Sequence, residues 1–138
     1  MANDVKITVT ESAGRRRASS GSPWEPKIGY SRAVRAGNTI AVTGTVGIFA
    51  DGTFPKSAGD QTRRALAIIA AAIEALGGRV DDVVRTRMFV TDISKWQEIG
   101  AAHAEVFGTI RPATTMVEVA KLIDDAALVE IEADAIVG

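Results

Sequence analysis

The segment Leu128-Val-Glu-Ile-Glu-Ala-Asp-Ala-Ile136 decides the fold, because apolar and acidic side chains alternate along it. Successive side chains of a β-strand point to opposite faces of the sheet, so this segment predicts a strand with one core face and one acidic face. The core face holds Val129, Ile131, Ala133 and Ala135, continued by Val137, and the acidic face holds Glu130, Glu132 and Asp134. On an isolated strand such an acidic face is normally a solvated surface. Under a neighbouring subunit, a carboxylate there would lie in a low-dielectric cleft and could orient or deprotonate water.

The segments upstream predict an α+β domain with the element order ββαβαββ. The predicted elements are a hairpin at Tyr30–Arg35 and Asn38–Val46, a helix at Gly59–Leu76, a strand at Asp81–Val90, a helix from the capping box Ser94-Lys-Trp-Gln97 to near Gly108, strands near Thr114–Val119 and Leu128–Ile136, and a short extra strand at Val5–Val9. Two helices can cover one face of such a sheet. Strands such as Ile40–Thr45 are too apolar for water on both sides, which predicts that subunits associate through the other face.

The early part of the chain predicts a loop. Residues Ser12–Lys27 are rich in Gly, Ser, Pro and Arg, so residues 1–22 are expected to form a strand and a flexible loop within one domain spanning 1–138. The run Arg15-Arg16-Arg17 invites a nucleic-acid interpretation. A solvated loop is favoured instead, because no aromatic or basic periodicity accompanies the run.

Composition excludes several classes of function. Sixteen basic residues stand against seventeen acidic ones, which gives a net charge of −1 and no general attraction to nucleic acid. The chain has no cysteine and one histidine, which excludes thiolate chemistry and two-histidine zinc sites. No leader-like or membrane-spanning apolar run is present, so a cytoplasmic location is expected.

Three segments carry a resemblance to a known family. Arg111-Pro-Ala-Thr-Thr-Met-Val-Glu-Val-Ala-Lys-Leu122, followed by Leu128–Ala133, resembles the C-terminal signature of the Rid family (reactive intermediate deaminase, also called YjgF-like or L-PSP). Ile28–Gly44, which contains Tyr30-Ser-Arg-Ala33 and Val42-Thr-Gly44, resembles its early segments, and Asp81–Asp92 resembles its central strand. The likeness covers roughly residues 22 to 136.

The resemblance implies a chorismate-mutase-like mixed β-sheet with two helices packed on one face, assembled as a homotrimer with ligand clefts between subunits. It also implies hydrolysis of enamines and imines derived from amino acids to 2-oxo acids and ammonia. The expected reaction needs no cofactor and no metal, and the expected partner is a small molecule rather than nucleic acid or a membrane.

The family's functional positions map onto this chain unevenly. Glu130 matches the glutamate that orients water, Tyr30 matches a cleft tyrosine, and Thr43 with Gly44 matches a cleft Ser-Gly pair. A further substrate-contacting position, often cysteine in the family, is Met116. The arginine that holds the substrate carboxylate is replaced by Thr114.

Loss of that arginine is costly for a carboxylate substrate. Deleting one partner of a buried charge pair typically costs about 2–5 kcal/mol, and a threonine hydroxyl is no substitute. Arg32, two residues after the matched Tyr30, is the preferred replacement. Arg85, Arg87 and Arg111 are other candidates, and surface or interface salt bridges are the alternative role for each arginine.

His103 and the two tryptophans have structural interpretations. His103 lies on the apolar face of the second predicted helix, which favours a packed, hydrogen-bonded histidine over a catalytic one. Trp24 and Trp96 are expected to be packing residues rather than stacking platforms.

Three functions remain open from the sequence. The first is an imine or enamine deaminase with a non-standard substrate, in which Glu130 directs water. The second is a non-catalytic, metabolite-binding trimer. The third is a ribonuclease or translation inhibitor, which ranks last because a near-neutral chain with one histidine lacks an obvious acid–base pair for phosphodiester cleavage.

Overall fold

A computed structural model describes residues 4–138 as one seven-stranded sheet with its helices. The strands are β1 (Thr8–Ser12), β2 (Arg15–Ser19), β3 (Ala33–Ala36), β4 (Thr39–Val46), β5 (Val83–Val90), β6 (Ala113–Glu118) and β7 (Val129–Ile136), and the helices are α1 (Trp24–Ile28), α2 (Ala58–Ala75) and α3 (Trp96–Phe107). Their order across the sheet is β1-β2-β3-β4-β7-β5-β6. Neighbouring strands are antiparallel except β5 and β6, which are parallel. The fold is the α+β mixed sheet that the sequence predicts.

Helix α2 covers the centre of one face of the sheet. Its first turn is capped by Ser57, whose hydroxyl accepts a hydrogen bond from the Asp60 backbone N–H at 3.1 Å. The apolar positions predicted from helical spacing, Ala65, Leu66, Ile69, Ile73 and Leu76, are all buried. They pack against β4 and β7, and α3 lies beside α2. The hydrophobic core therefore lies between the two longer helices and the middle of the sheet.

The alternation predicted for the last strand is confirmed. In β7 the side chains of Val129, Ile131, Ala133 and Ala135 are fully buried under the helices. The acidic side chains between them lie on the opposite face, where Arg87 of β5 forms salt bridges with Glu132 at 3.3 Å and Asp134 at 3.1 Å. The two longer helices, α2 and α3, pack on the other face, against the buried side chains of β7.

The loop predicted at Ser12–Lys27 is wrong. The arginine run lies in β2, which pairs with β1 on one side and β3 on the other, and α1 follows. Arg16 and Arg35 both donate hydrogen bonds to the carbonyl of Leu76, at 2.6 and 2.8 Å, and so supply partners for a carbonyl group at the C-terminal end of α2. Tertiary hydrogen bonds therefore override the loop-like composition of this segment.

The ends of two other predicted elements are also displaced. The N-terminal strand expected at Val5–Val9 is β1, which begins later, at Thr8. The capping box proposed at Ser94 does not form, because the Asp92 carboxylate accepts hydrogen bonds from the backbone and hydroxyl of Ser94 and creates a short 3₁₀ turn. Helix α3 consequently begins at Trp96. No helix within residues 4–138 is long and apolar enough to cross a membrane.

Candidate functional site

A cleft of about 870 Å³ opens beside the junction of β3, β4 and β7. Its walls come from the segments before β1, around α1, between β4 and α2, and before β7, together with part of α2. The lining includes Tyr30, Arg32, Thr43, Gly44 and Glu130. Clefts of this size accommodate small-molecule ligands in many proteins. Five of the seven predicted site residues therefore lie together.

Irregular pairing between β4 and β7 shapes the floor of the cleft. The register between these strands shifts between Val42 and Thr45, so Thr43 and Gly44 form a bulge. The Thr43 hydroxyl donates to the Ser31 carbonyl at 2.6 Å, and the Thr43 N–H donates to the Arg32 carbonyl at 3.0 Å. These two bonds tie the segment that carries Tyr30 and Arg32 to the bulge.

Glu130 is the half-buried carboxylate of the cleft. It lies in β7 opposite Val46 of β4 and Phe89 of β5. A Cβ atom at Gly44 would lie 2.8 Å from Glu130 Oε2, so the absence of a side chain at Gly44 leaves room for the carboxylate. Burial raises the pKa of Glu130 above its ordinary value; the charge of Arg32 opposes this rise, and that of Glu132 adds to it.

Arg32 is a nearly buried cation in the same cleft. Arg32 is 8% exposed, and its Nη2 donates a hydrogen bond to the Gly44 carbonyl oxygen at 3.2 Å. The guanidinium carbon lies 5.5 Å from the centre of the Tyr30 ring. Its Nε is buried and has no hydrogen-bond partner among residues 4–138.

Comparison with known proteins identifies the family. The family model described as endoribonuclease L-PSP matches residues 22–137, which is most of the chain. The chain belongs to the Rid family, also called the YjgF or L-PSP family.

Similar members of the Rid family include proteins with solved structures. A Mycobacterium tuberculosis member of the YjgF/YER057c/UK114 family is 51% identical, with a TM-score of 0.84 over 89% of this chain and 99% of that one. The Escherichia coli 2-iminobutanoate/2-iminopropanoate deaminase is 33% identical over 78% of this chain and 86% of its own length. Escherichia coli TdcF, solved with bound serine, is 27% identical, with a TM-score of 0.74 over 79% of this chain and 88% of that one.

Two of the positions mapped from the Rid family lie away from the cleft of this chain. Thr114 and Met116 belong to β6, at the edge of the sheet, and pair with Thr86 and Met88 of β5. The Thr86 hydroxyl lies 2.9 Å from the Thr114 hydroxyl and 2.9 Å from Nε2 of His103. We call Thr86, His103 and Thr114 the edge cluster. Within one chain it is separate from the cleft lining.

The edge cluster confirms the structural interpretation of His103. Besides its bond to Thr86, the His103 ring lies 4.6 Å from the Phe107 ring, measured between centroids. Burial lowers the pKa of His103, which favours the neutral imidazole. The packing interpretation of the tryptophans is wrong, because Trp24 is 50% and Trp96 is 55% exposed.

The other candidate arginines have different environments. Arg87 is engaged by Glu132 and Asp134, which confirms the salt-bridge alternative for this residue. Arg85 shares its strand face but forms no salt bridge within the described chain, and Arg111 has a positive φ of 57° just before β6. Neither Arg85, Arg87 nor Arg111 lines the cleft.

Sequence reasoning missed the apolar wall of the cleft. This wall includes Ile48, Phe49, Phe54, Ile68 and Ile123. Phe49 and Phe54 bracket the Asp51-Gly52 turn, where the Phe49 N–H donates to the Thr53 carbonyl at 2.8 Å. A loop has no periodicity in its sequence that would reveal which way its aromatic residues face.

A buried glutamine holds this wall in place. Gln61 of α2 donates to the carbonyls of Pro55 at 2.9 Å and Ala126 at 2.8 Å, and accepts from the Leu128 N–H at 2.7 Å. It thereby fixes the segment that leads into β7 and Glu130. Within residues 4–138, no group of three or more His, Asp or Glu side chains is arranged to hold a metal ion.

Proposed function

We propose that this Rid-family chain is a cofactor-independent hydrolase of imines or enamines, working in the cytoplasm as a homotrimer. The observation that carries the proposal is the half-buried Glu130 carboxylate, which lines the cleft beside Gly44 and has a pKa raised by burial. A general base is most effective when its pKa is moved toward the working pH. The 33% identity to a 2-iminobutanoate/2-iminopropanoate deaminase over 78% of the chain supports the reaction class.

The proposed chemistry needs one well-placed base. The ionised Glu130 accepts a proton from a water molecule as the water oxygen attacks the carbon of the C=N bond. When Glu130 returns this proton to the nitrogen, the resulting carbinolamine expels ammonia, and its hydroxyl proton passes to the Glu130 carboxylate, which leaves a carbonyl product. Tyr30, Thr43 and Gly44 line the cleft around Glu130 and are the proposed substrate contacts on the same wall.

The trimer part of the proposal concerns surfaces outside the cleft. The face of the sheet opposite the helices carries charged residues of β5 and β7 and the exposed apolar residue Val117 of β6. Thr114 and Met116 lie on the edge strand β6, away from the cleft of their own chain. As substrate contacts they therefore act on the cleft of a neighbouring copy.

The test is a coupled assay for imine hydrolysis. An amino-acid oxidase generates 2-iminopropanoate or 2-iminobutanoate in place, and release of the 2-oxo acid is followed with and without the protein. Acceleration by the wild type, its loss in Glu130→Gln and its retention in Asp134→Asn would support the proposal. Asp134 is the matched control, because it lies on the same face of β7 but outside the cleft lining.

A metabolite-binding role without turnover is the second candidate. It is favoured by Thr114, which the sequence resemblance aligns with the family's carboxylate-binding arginine. The similarity to TdcF, which was solved with bound serine, is compatible with an amino-acid-like ligand. Ligand binding without acceleration of any amino-acid-derived imine would favour this role, and cleavage of RNA dependent on Glu130 would favour the ribonuclease alternative.

A further inference from the structure

The environment of Arg32 is unusual for a buried cation. Arginine carries five N–H donors, is charged at any physiological pH and is rarely buried without a partner. Arg32 is 8% exposed and forms no salt bridge with any carboxylate of residues 4–138. Its one hydrogen bond within the described chain runs from Nη2 to the Gly44 carbonyl. The folded chain therefore leaves most of the guanidinium donors unmatched.

Neither of the nearby carboxylates, Glu25 and Glu130, accepts a hydrogen bond from the Arg32 guanidinium. Glu25 is buried, but its Oε2 is engaged by the N–H of Ser20 at 3.2 Å and by its hydroxyl at 2.8 Å. Glu130 lies near enough for its charge to interact with that of Arg32, but the two side chains form no salt bridge. Both carboxylates thus stabilise the charge of Arg32 from a distance and leave its donors free.

The free donors differ in their access to the cleft. Nε is buried from solvent, whereas Nη1 has no hydrogen bond within residues 4–138 and is not among the buried unpaired atoms. Nη1 is consequently the donor that a molecule in the cleft meets first. A guanidinium edge matches the two oxygens of a carboxylate better than a single point charge does.

We infer that Arg32 binds the carboxylate of the ligand, so that one chain supplies both the anion-binding residue and Glu130. The inference rests on the proposed function only in placing the ligand in the same cleft. It assigns the ligand class as small carboxylates whose reacting carbon faces Glu130. It also places the anion contact beside Tyr30 and Gly44 rather than at Thr114 on β6.

The first test measures binding and needs no turnover. The probes are 2-oxobutanoate and its neutral methyl ester, each titrated into the full chain by calorimetry. Charge-assisted hydrogen bonds contribute about 1.5–3 kcal/mol, so the wild type should bind the anion roughly tenfold to a hundredfold more tightly than the ester. Arg32→Gln should bind both probes equally, and Arg32→Lys should retain part of the preference.

The matched control is Arg17→Gln, which makes the same change of charge outside the cleft. Arg17 hydrogen-bonds to Ser12 in an exposed position, so the preference for the anion should persist in this variant. A wild type without preference, or an Arg32→Gln variant that keeps it, would overturn the inference. Equal binding of inorganic phosphate would overturn the assignment to carboxylates.

Stability separates a binding role from a structural one. Removing a buried charge that lacks a direct partner is commonly neutral or stabilising, whereas removing a structural ion-pair partner is destabilising. Arg32→Met should therefore keep or raise the Tm of the ligand-free protein and abolish the rise in Tm caused by 2-oxobutanoate. A lower Tm in the ligand-free protein, with the ligand-induced rise intact, would assign Arg32 a structural role.

The outcomes also separate this inference from the proposed reaction. Imine hydrolysis without an Arg32-dependent preference for anions would leave the hydrolase standing and remove the inference. Arg32-dependent binding of 2-oxobutanoate without imine hydrolysis would leave the carboxylate site standing and remove the hydrolase.

Discussion

The cleft and the edge cluster both lie beside polar residues of the same sheet. The polar groups of the edge cluster are hydrogen-bonded to one another, whereas two ionisable groups of the cleft lack direct ionic partners in the described part of the chain. In the edge cluster, Thr86 bridges His103 and Thr114 at 2.9 Å on each side, and burial lowers the pKa of the histidine, which favours its neutral form. In the cleft, Arg32 and Glu130 are ionisable residues that are wholly or partly buried, and neither forms a salt bridge within residues 4–138. Satisfied polar networks stabilise a fold, whereas unsatisfied buried charges commonly mark a binding or catalytic site.

The contrast between the cleft and the edge cluster is tested most directly by substituting Glu130. If Glu130 is the general base, Glu130→Gln should lower kcat by roughly 10²- to 10⁴-fold. Activity of the wild type should fall as the pH drops through the raised pKa of Glu130, because the carboxylate must be ionised to accept a proton. A pH–rate profile for kcat checks this, and a profile that is unchanged in Glu130→Gln would contradict the role.

Whereas the Glu130→Gln substitution should lower activity, it should increase the stability of the folded protein. The folded state favours the protonated Glu130, because its pKa is raised above that of the unfolded chain. The stabilising effect of this proton is complete at pH below the unfolded pKa and is lost as the pH rises through the folded pKa. Glu130→Gln should therefore gain stability relative to the wild type between acidic and neutral pH, as measured by urea unfolding.

Gly44 provides the next largest effect, because it determines where the Glu130 carboxylate can lie. A Cβ at this position would approach Glu130 Oε2 to 2.8 Å, so Gly44→Ala should displace the carboxylate. Misplacement of a reacting group by about 1 Å can cost roughly a hundredfold in rate. Gly100→Ala is the control, since the added Cβ would have no neighbour within 4 Å other than the adjacent residues and the backbone of its own helix. Equal kcat values in the two variants would show that this close approach is unimportant.

A charge placed in the edge cluster tests whether β6 of one copy completes the cleft of another. In the Arg32→Gln background, Thr114→Arg should restore the preference for 2-oxobutanoate over its methyl ester by roughly tenfold. Thr114 is exposed in one chain, so the arginine can be accommodated at the surface. No recovery, in a variant with unchanged Tm, would argue against a shared cleft.

The smallest effect is expected at His103. Because burial lowers its folded-state pKa, the neutral histidine contributes stability that is complete above its ordinary pKa and is lost as the pH falls from there through the lower folded-state pKa. His103→Gln should show a shallower loss of stability between pH of about 7 and about 5. Urea unfolding at several pH values measures this difference, and parallel curves for the two proteins would contradict it.

Periodic patterns allowed the centre of the fold to be predicted from the sequence. The alternation of β7 and the apolar spacing of α2 both follow from burial on one side of the element. The structure has a strand and a helix at these positions, with the predicted apolar side chains buried. The loop expected at Ser12–Lys27 was wrong because strand partners and hydrogen-bond acceptors distant in sequence decided its structure, and a short window of sequence does not contain them. The cap expected at Ser94 was wrong because the neighbouring Asp92 carboxylate accepts the hydrogen bonds of Ser94 instead.

Only the location of the candidate site could be followed from the sequence. Tyr30, Thr43, Gly44 and Glu130 were selected from the resemblance, and Arg32 was selected as a replacement for the missing arginine. The structure has all five residues along one cleft, and their roles stay predictions. The unmet donors of Arg32 could not be predicted, because they depend on which carboxylates are already engaged elsewhere. The apolar wall around Phe49 and Phe54 was also missed, since its direction is set by the long-range hydrogen bonds of Gln61 and by a turn without periodicity.

The central position of β7 has a consequence for synthesis of the protein. This strand comes last along the sequence, yet it lies between β4 and β5 and joins the two halves of the sheet. Until it emerges from the ribosome, β4 and β5 each present an unpaired strand edge, which is a hazard for aggregation. The nascent chain therefore cannot complete this sheet or position Glu130 before residues 129–136 have been translated. Translation that stalls upstream of residue 129 would leave two half-sheets for the cell's chaperones to shield.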